Sequence, residues 1–152
     1  MYNKPIVPDT FQTPLIERTS RCLFRPLTVR DVTRDFDAVM SSREYLMDHF
    51  KPETSWPDGL TIEQNLIDLG WHEYEFQNHT SFAYTITDLT DEITLGCCYI
   101  YPSQLDEHEV SVSYWVRSSE LKTGLSQHVA EALQQWISKI WPFENPLFIH
   151  PG

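Results

Sequence analysis

The stretch that decides the fold is YWVRSSELKTGLSQHVAEALQQW, Tyr114–Trp136. It opens as an apolar strand and crosses a short polar turn with one glycine, Gly124. Leu125, Val129, Leu133, Trp136, Ile137 and Ile140 then recur at helical spacing. Trp141-Pro142 stops that helix, because the residue before a proline is steered out of the helical region. A last short strand fits NPLFIH, 145–150. Strand, helix and strand together predict a parallel, right-handed crossover. The first turn of such a helix leaves N–H groups without intrahelical partners, and its dipole favours an anion. A strand–turn–helix of this kind is a common phosphate cradle.

Outward from it the period is two. EVSVSYWV (109–116), ITLGCCYI (93–100) and SFAYTIT (81–87) read as three strands, close enough in sequence to form an antiparallel meander. RCLFRPL (21–27) is a further strand. Thr28 with Asp31 starts a helix carrying Val32, Phe36, Val39 and Met40 to about Ser42. FKPETSWPDG (50–59) is a loop. Thr61 with Gln64 caps a second helix, whose stripe is Ile62, Leu66, Leu69 and Phe76. The order β-α-α-β-β-β-α-β predicts one α/β (α+β) domain over residues 20–152, built on a mixed central sheet. Residues 1–19, with Pro5, Pro8 and Pro14, form an extended lead-in. The change of strand direction in such a sheet opens a ligand crevice at the strand ends.

The chain has 152 residues, enough for one sizeable core, and a formal charge of −11. Residues 1–51 hold eight Lys/Arg and seven Asp/Glu, whereas residues 52–152 hold three and fifteen. Nucleic acid is excluded as a partner, because phosphate binding needs clustered cations. The three late cations are Arg117, Lys122 and Lys139, and the first two lie in the turn between the Tyr114 strand and its helix, a pointer to a local anion site. No apolar run reaches the roughly 18 residues of a membrane helix, so no membrane partner is expected. The N-terminus has no secretory h-region. Cys22, Cys97 and Cys98 are too few and odd in number for a disulfide framework, which points to the reducing cytoplasm. Cys97 and Cys98 read as two faces of one buried strand.

This order, with FRPLTVRDVTRDFDAVMSS, LGCCYIYPS, VSYWVRSS and GLSQHVAEALQQWI, resembles the GNAT superfamily of N-acetyltransferases over about residues 21–149. It looks closest to the branch that acetylates ribosomal-protein N-termini. The resemblance implies acetyl-CoA as co-substrate, with no metal. The family's pyrophosphate loop follows Arg/Gln-x-x-Gly-x-Gly/Ala; here the aligned stretch is LKTGLS. Gly124 matches, while Leu121 and Ser126 depart. Cofactor contacts are therefore expected from Tyr114, Trp115 and Val116 on the strand, and from Arg117, Lys122, Thr123, Gly124, Leu125 and Ser126 at the turn. The family usually continues into another helix and two strands after the last strand seen here. A homodimer partner is expected to cover the open sheet edge.

Glu109, at the head of the third meander strand, is the expected general base, with His108 beside it as the alternative. In the family it resembles, the second helix and the loop before it line the acceptor site, which implies Trp56, Trp71 and His72 as groove residues. His72, Glu75 and His79 share one helix face by spacing, but HEYEF (72–76) lacks the second histidine of a zinc motif, so no metal site is expected. No hydrolase elbow or P-loop is present. The expected reaction moves an acetyl group to a primary amine: a protein N-terminus, a polyamine or a small amine. The excess of carboxylates predicts a cationic acceptor. The altered loop leaves open a catalytically impaired relative that binds CoA or serves as an interaction module.

Overall fold

The computed structural model describes residues 1–51 and 53–149. Six strands, β1 (Glu17–Arg18), β2 (Leu23–Pro26), β3 (Phe82–Thr87), β4 (Thr94–Pro102), β5 (Val110–Val116) and β6 (Leu147–Phe148), lie side by side in chain order. Every neighbouring pair is antiparallel except β5 and β6, which are parallel. The helix α4 (Leu125–Ile140) makes that crossover. The meander and the crossover both match the sequence reading. His150, the end of the predicted last strand, lies outside the described residues.

Alternation along the strands separates two cores. Phe82, Tyr84, Ile86, Cys98 and Tyr114 face α4, where they meet Leu125, Val129, Leu133, Trp136 and Ile137. Ala83, Cys97 and Trp115 face the opposite side and pack with Leu27, Ala38, Val39, Leu46 and Leu69. Cys97 and Cys98 thus serve one core each, as adjacent strand residues must. Ile140 breaks the predicted α4 stripe and is exposed. Residues of the lead-in lie on the first core: Val7 is buried, and Tyr84 donates its hydroxyl to Pro14 O at 2.6 Å.

The helices depart from the sequence reading twice. After α1 (Val32–Ser41) the chain bends at Ser42 and forms a second helix, α2 (Arg43–His49), which the sequence did not announce. It has no side-chain cap, and only Leu46 of its residues is buried. The next helix, α3 (Ile62–Gln77), starts as predicted, with Thr61 Oγ1 accepting from the Gln64 N–H. Its stripe is rotated, however. Ile62 and Leu66 are exposed, and the buried face carries Asn65, Leu69 and Glu75. The inner face of α3 borders a cleft, which it lines with Asn65, Asp68, Leu69 and His72. His79 falls beyond the helix at φ 60°, so it shares no helix face with His72 and Glu75.

Candidate active site

The strand β5 carries two kinds of backbone edge. The Arg117 N–H donates to Leu95 O at 2.8 Å, and the register opposes Trp115 to Cys97 and Ser113 to Tyr99. Odd-numbered residues therefore direct their backbone groups at β4, and even-numbered ones direct theirs at β6. On the β6 side the parallel ladder ends early: Val112 opposes Phe148, and Val112 O accepts from the Ile149 N–H at 2.9 Å. Beyond it, among the described residues, the N–H groups of Tyr114 and Val116 face away from β4 with no strand to receive them. The backbone of Trp115 pairs with β4 instead, so of the three expected amide donors two are open.

A residue the sequence reading missed sits at this opening. His49, the last residue of α2, donates from Nε2 to Tyr114 O at 3.2 Å. Burial lowers its pKa, and the Tyr114 carbonyl opposes that shift. No sequence signal marked His49, because α2 itself carried none.

The turn that follows is built around Gly124, at φ 82°. A side chain there would be strained in the left-handed region, and the nearest atom to an added Cβ is Arg21 Nη1 at 3.6 Å. Thr123 Oγ1 donates to Glu120 O and accepts from the Leu125 N–H at 3.4 Å. Leu125 is buried under α4. The Tyr114 hydroxyl donates to Ser126 O at 2.9 Å and lies 3.0 Å from Ser126 Oγ, which gives this departure from the family pattern a packing role. Leu121 is exposed and contributes no charge. Lys122 is exposed beside it. Arg21, a residue not picked out from sequence, donates from Nη1 to Thr123 O at 3.3 Å. Arg117 is directed elsewhere. Its guanidinium donates to Thr94 O at 3.0 Å, to Ser41 Oγ at 3.1 Å and to Asp37 at 3.2 Å. It clamps α1 to the sheet, away from the turn.

On the opposite face of β5, Ser113 and Trp115 border a cleft of about 300 Å³. The helix α1 contributes Asp35 and Val39, α3 contributes Asn65, Asp68 and His72, and β4 contributes Tyr99 and Tyr101. Phe50 and Trp56 also line the cleft, and Trp56 packs on Trp115 with ring centroids 6.3 Å apart. Asp35 is buried and accepts from Asn65 Nδ2 at 3.0 Å. Its desolvation, with Asp31 and Asp68 nearby and Asn65 opposing, pushes its pKa from 3.8 to about 6. His72 rests against the Tyr99 ring at 5.7 Å, and Trp115 Nε1 donates to the Tyr99 hydroxyl. Burial lowers the His72 pKa, with Glu75 and Asp68 opposing. Of the three predicted groove residues, Trp56 and His72 line the cleft. Trp71 lies half-exposed on the outer side of α3 against Tyr74.

The expected base pair is used differently. Glu109 accepts the backbone N–H groups of Glu144 and Asn145, the latter at 2.7 Å, and His108 Nδ1 donates to Asn145 O at 2.9 Å. Slight desolvation raises the Glu109 pKa, but those backbone bonds outweigh it and hold the carboxyl low. Both side chains tie the end of α4 to the head of β5, and neither lines the cleft. The spacing could not show this, because the loop they bind is about 35 residues downstream.

Residues 21–146 match the family model of the acetyltransferase (GNAT) domain. The chain belongs to that family. Membership makes it an N-acetyltransferase. No curated protein matches the sequence significantly. The GNAT fold is shared with the microcin C7 self-immunity acetyltransferase MccE, solved with acetyl-CoA and AMP. The TM-score is 0.64 at 11% identity, over 87% of this chain and 72% of that one. RimL, the ribosomal L7/L12 alpha-N-protein acetyltransferase solved with coenzyme A, superposes at TM-score 0.62. The identity is 15%, over 81% of this chain and 66% of that one. The ribosomal-protein-S5-alanine acetyltransferase of Vibrio fischeri gives 0.63 at 13%, over 82% and 68%. At these identities the likeness is one of fold.

The residues of this GNAT domain fit a CoA-type group. Open N–H groups on β5 can receive the amide-rich arm, and a glycine turn at the start of α4 can receive phosphate oxygens. Among the described residues no cluster of three or more His, Cys, Asp or Glu could hold a metal. No described helix is long and apolar enough to cross a membrane.

Proposed function

We propose that the chain moves an acetyl group from acetyl-CoA to the primary amine of a cationic acceptor, and that the acceptor enters the cleft between α1, α3 and β5. The observation that carries this is the make-up of that cleft. Two carboxylates, Asp35 and Asp68, stand among Phe50, Trp56, Trp115, Tyr99 and Tyr101. Aromatic faces and carboxylates are the two chemistries that attract an ammonium or guanidinium. Ser113 and Trp115 flank Tyr114, so the cleft backs onto the part of β5 whose N–H groups are open.

In this reading the N–H groups of Tyr114 and Val116 hold the arm and the thioester end of the cofactor. The backbone of Thr123, Gly124, Leu125 and Ser126 holds the pyrophosphate, and Lys122 and Arg21 supply positive charge where Leu121 supplies none. His49 keeps the Tyr114 carbonyl occupied and the opening in shape. The chemistry then needs proximity and removal of one amine proton.

Titration calorimetry with acetyl-CoA, followed by thiol detection over an amine panel, tests the proposal. Cationic amines are expected to outrun neutral ones of equal size. Leu121 favours a second reading, a relative that binds CoA without transferring acetyl. Binding heat with no thiol release for any amine would select it, and no heat at millimolar acetyl-CoA would sink both.

A further inference from the structure

We propose that His72 is the proton acceptor of the reaction, taking the proton from the acceptor amine as it attacks the acetyl carbon. This rests on the acetyl-transfer reading above and names a residue within the same cleft. His72 lines the cleft from α3. Its Nδ1 is enclosed and has no hydrogen-bond partner among the described residues. An imidazole with an enclosed nitrogen left unclaimed is uncommon, because an unpaired polar group away from water costs stability. The remaining groups that titrate around it are already engaged or unsuitable. Asp35, on α1, gives one oxygen to Asn65. Glu75, on α3, accepts the Tyr2 N–H and the Ser81 hydroxyl. Tyr99 and Tyr101, on β4, have their hydroxyl pKa values driven well up by burial. Asp68, one turn before His72 on α3, faces the cleft as a carboxylate.

The step balances simply. The amine nitrogen bonds to the acetyl carbon, the carbon–sulfur bond breaks, and sulfur leaves as thiolate. The amine proton goes to the His72 imidazole and from there to water. Burial lowers the His72 pKa, so the ring is neutral and able to accept at neutral pH. The negative charges of Glu75 and Asp68 stabilise the imidazolium that forms.

The test uses spermidine and alaninamide as probe amines, with wild type, His72→Gln, His72→Ala and Asp35→Asn. His72→Gln is expected to lower kcat/KM by about 100-fold or more. Its acetyl-CoA affinity should stay within about 3-fold, since His72 lies off the cofactor turn. Added imidazole should restore part of the rate of His72→Ala, which a purely structural role would not permit. Wild type should show an acidic limb in kcat/KM that His72→Gln loses and Asp35→Asn keeps. Equal kcat/KM in wild type and His72→Gln overturns the assignment of His72 and leaves acetyl transfer standing. No transfer by a wild type that binds acetyl-CoA counts against the acetyl-transfer reading instead. Ring-nitrogen NMR then decides His72 by itself: its signal, identified by its loss in His72→Gln, must move when spermidine is added to the CoA-loaded protein. An unmoved signal overturns the proposal.

Discussion

Replacing Asp35 by Asn should make the protein more stable at neutral pH. Asp35 is 4% exposed and keeps one hydrogen bond, from Asn65. Folding raises its pKa from 3.8 to about 6, so the folded state resists its ionisation. A raised carboxyl pKa means that the folded state binds more protons, and stability is lost as pH rises from the unfolded value through the folded one. At about 1.4 kcal/mol per pKa unit, the penalty is about 3 kcal/mol at pH 7 and falls to roughly 0.5 kcal/mol at pH 4. Asn keeps the shape and can still accept from Asn65, so most of that penalty should be recovered. In a chain of this size, 1 kcal/mol moves Tm by about 2–4 °C, so a rise on the order of 5–10 °C is expected at pH 7. Thermal melts of both proteins at pH 7 and pH 4 measure it. A variant less stable than wild type at pH 7, or an equal gain at both pH values, would refute the reasoning. The same variant should bind cationic amines less well. A carboxylate that weakens the fold and lines a cleft is best explained by what it binds there.

Gly124→Val should abolish acetyl-CoA binding in calorimetry and cost about 1–2 kcal/mol in urea melts, because φ 82° is hostile to a β-branched residue. Arg117→Ala should lower stability by about 1–2 kcal/mol through loss of its bonds to Thr94, Ser41 and Asp37, with acetyl-CoA affinity unchanged. A large loss of affinity in that variant would return Arg117 to the cofactor site. Gly96→Ala should cost roughly 2–3 kcal/mol or more, since an added Cβ would lie 2.0 Å from Trp115 O and force β4 and β5 apart. If the Gly96→Ala variant melted together with wild type, the close approach of β4 and β5 at this point would be contradicted.

The sequence alone determined the meander, the crossover and the glycine turn. Those features rest on local periodicity, capping and turn chemistry, which adjacent residues encode. The three strands between Phe82 and Val116 alternate in the residues themselves, and Gly124 stands alone between a strand and a helix of unmistakable period. Trp56 and His72 were expected in the cleft only through the family resemblance, which offered the half-exposed Trp71 equally. Only the tertiary structure decided what the charged groups touch. Glu109 and His108 look like a poised pair in DEHE (106–109), yet they serve a loop that follows α4. Arg117 sits beside the turn in sequence and clamps α1 in space. Asp35, Asn65 and His49 carry no motif, and they matter because three helices bring them to one face of β5. Periodicity is a property of neighbours along the chain, whereas desolvation and partnership are set by elements distant in it. That difference is why the fold could be read from the sequence and the working side chains could not.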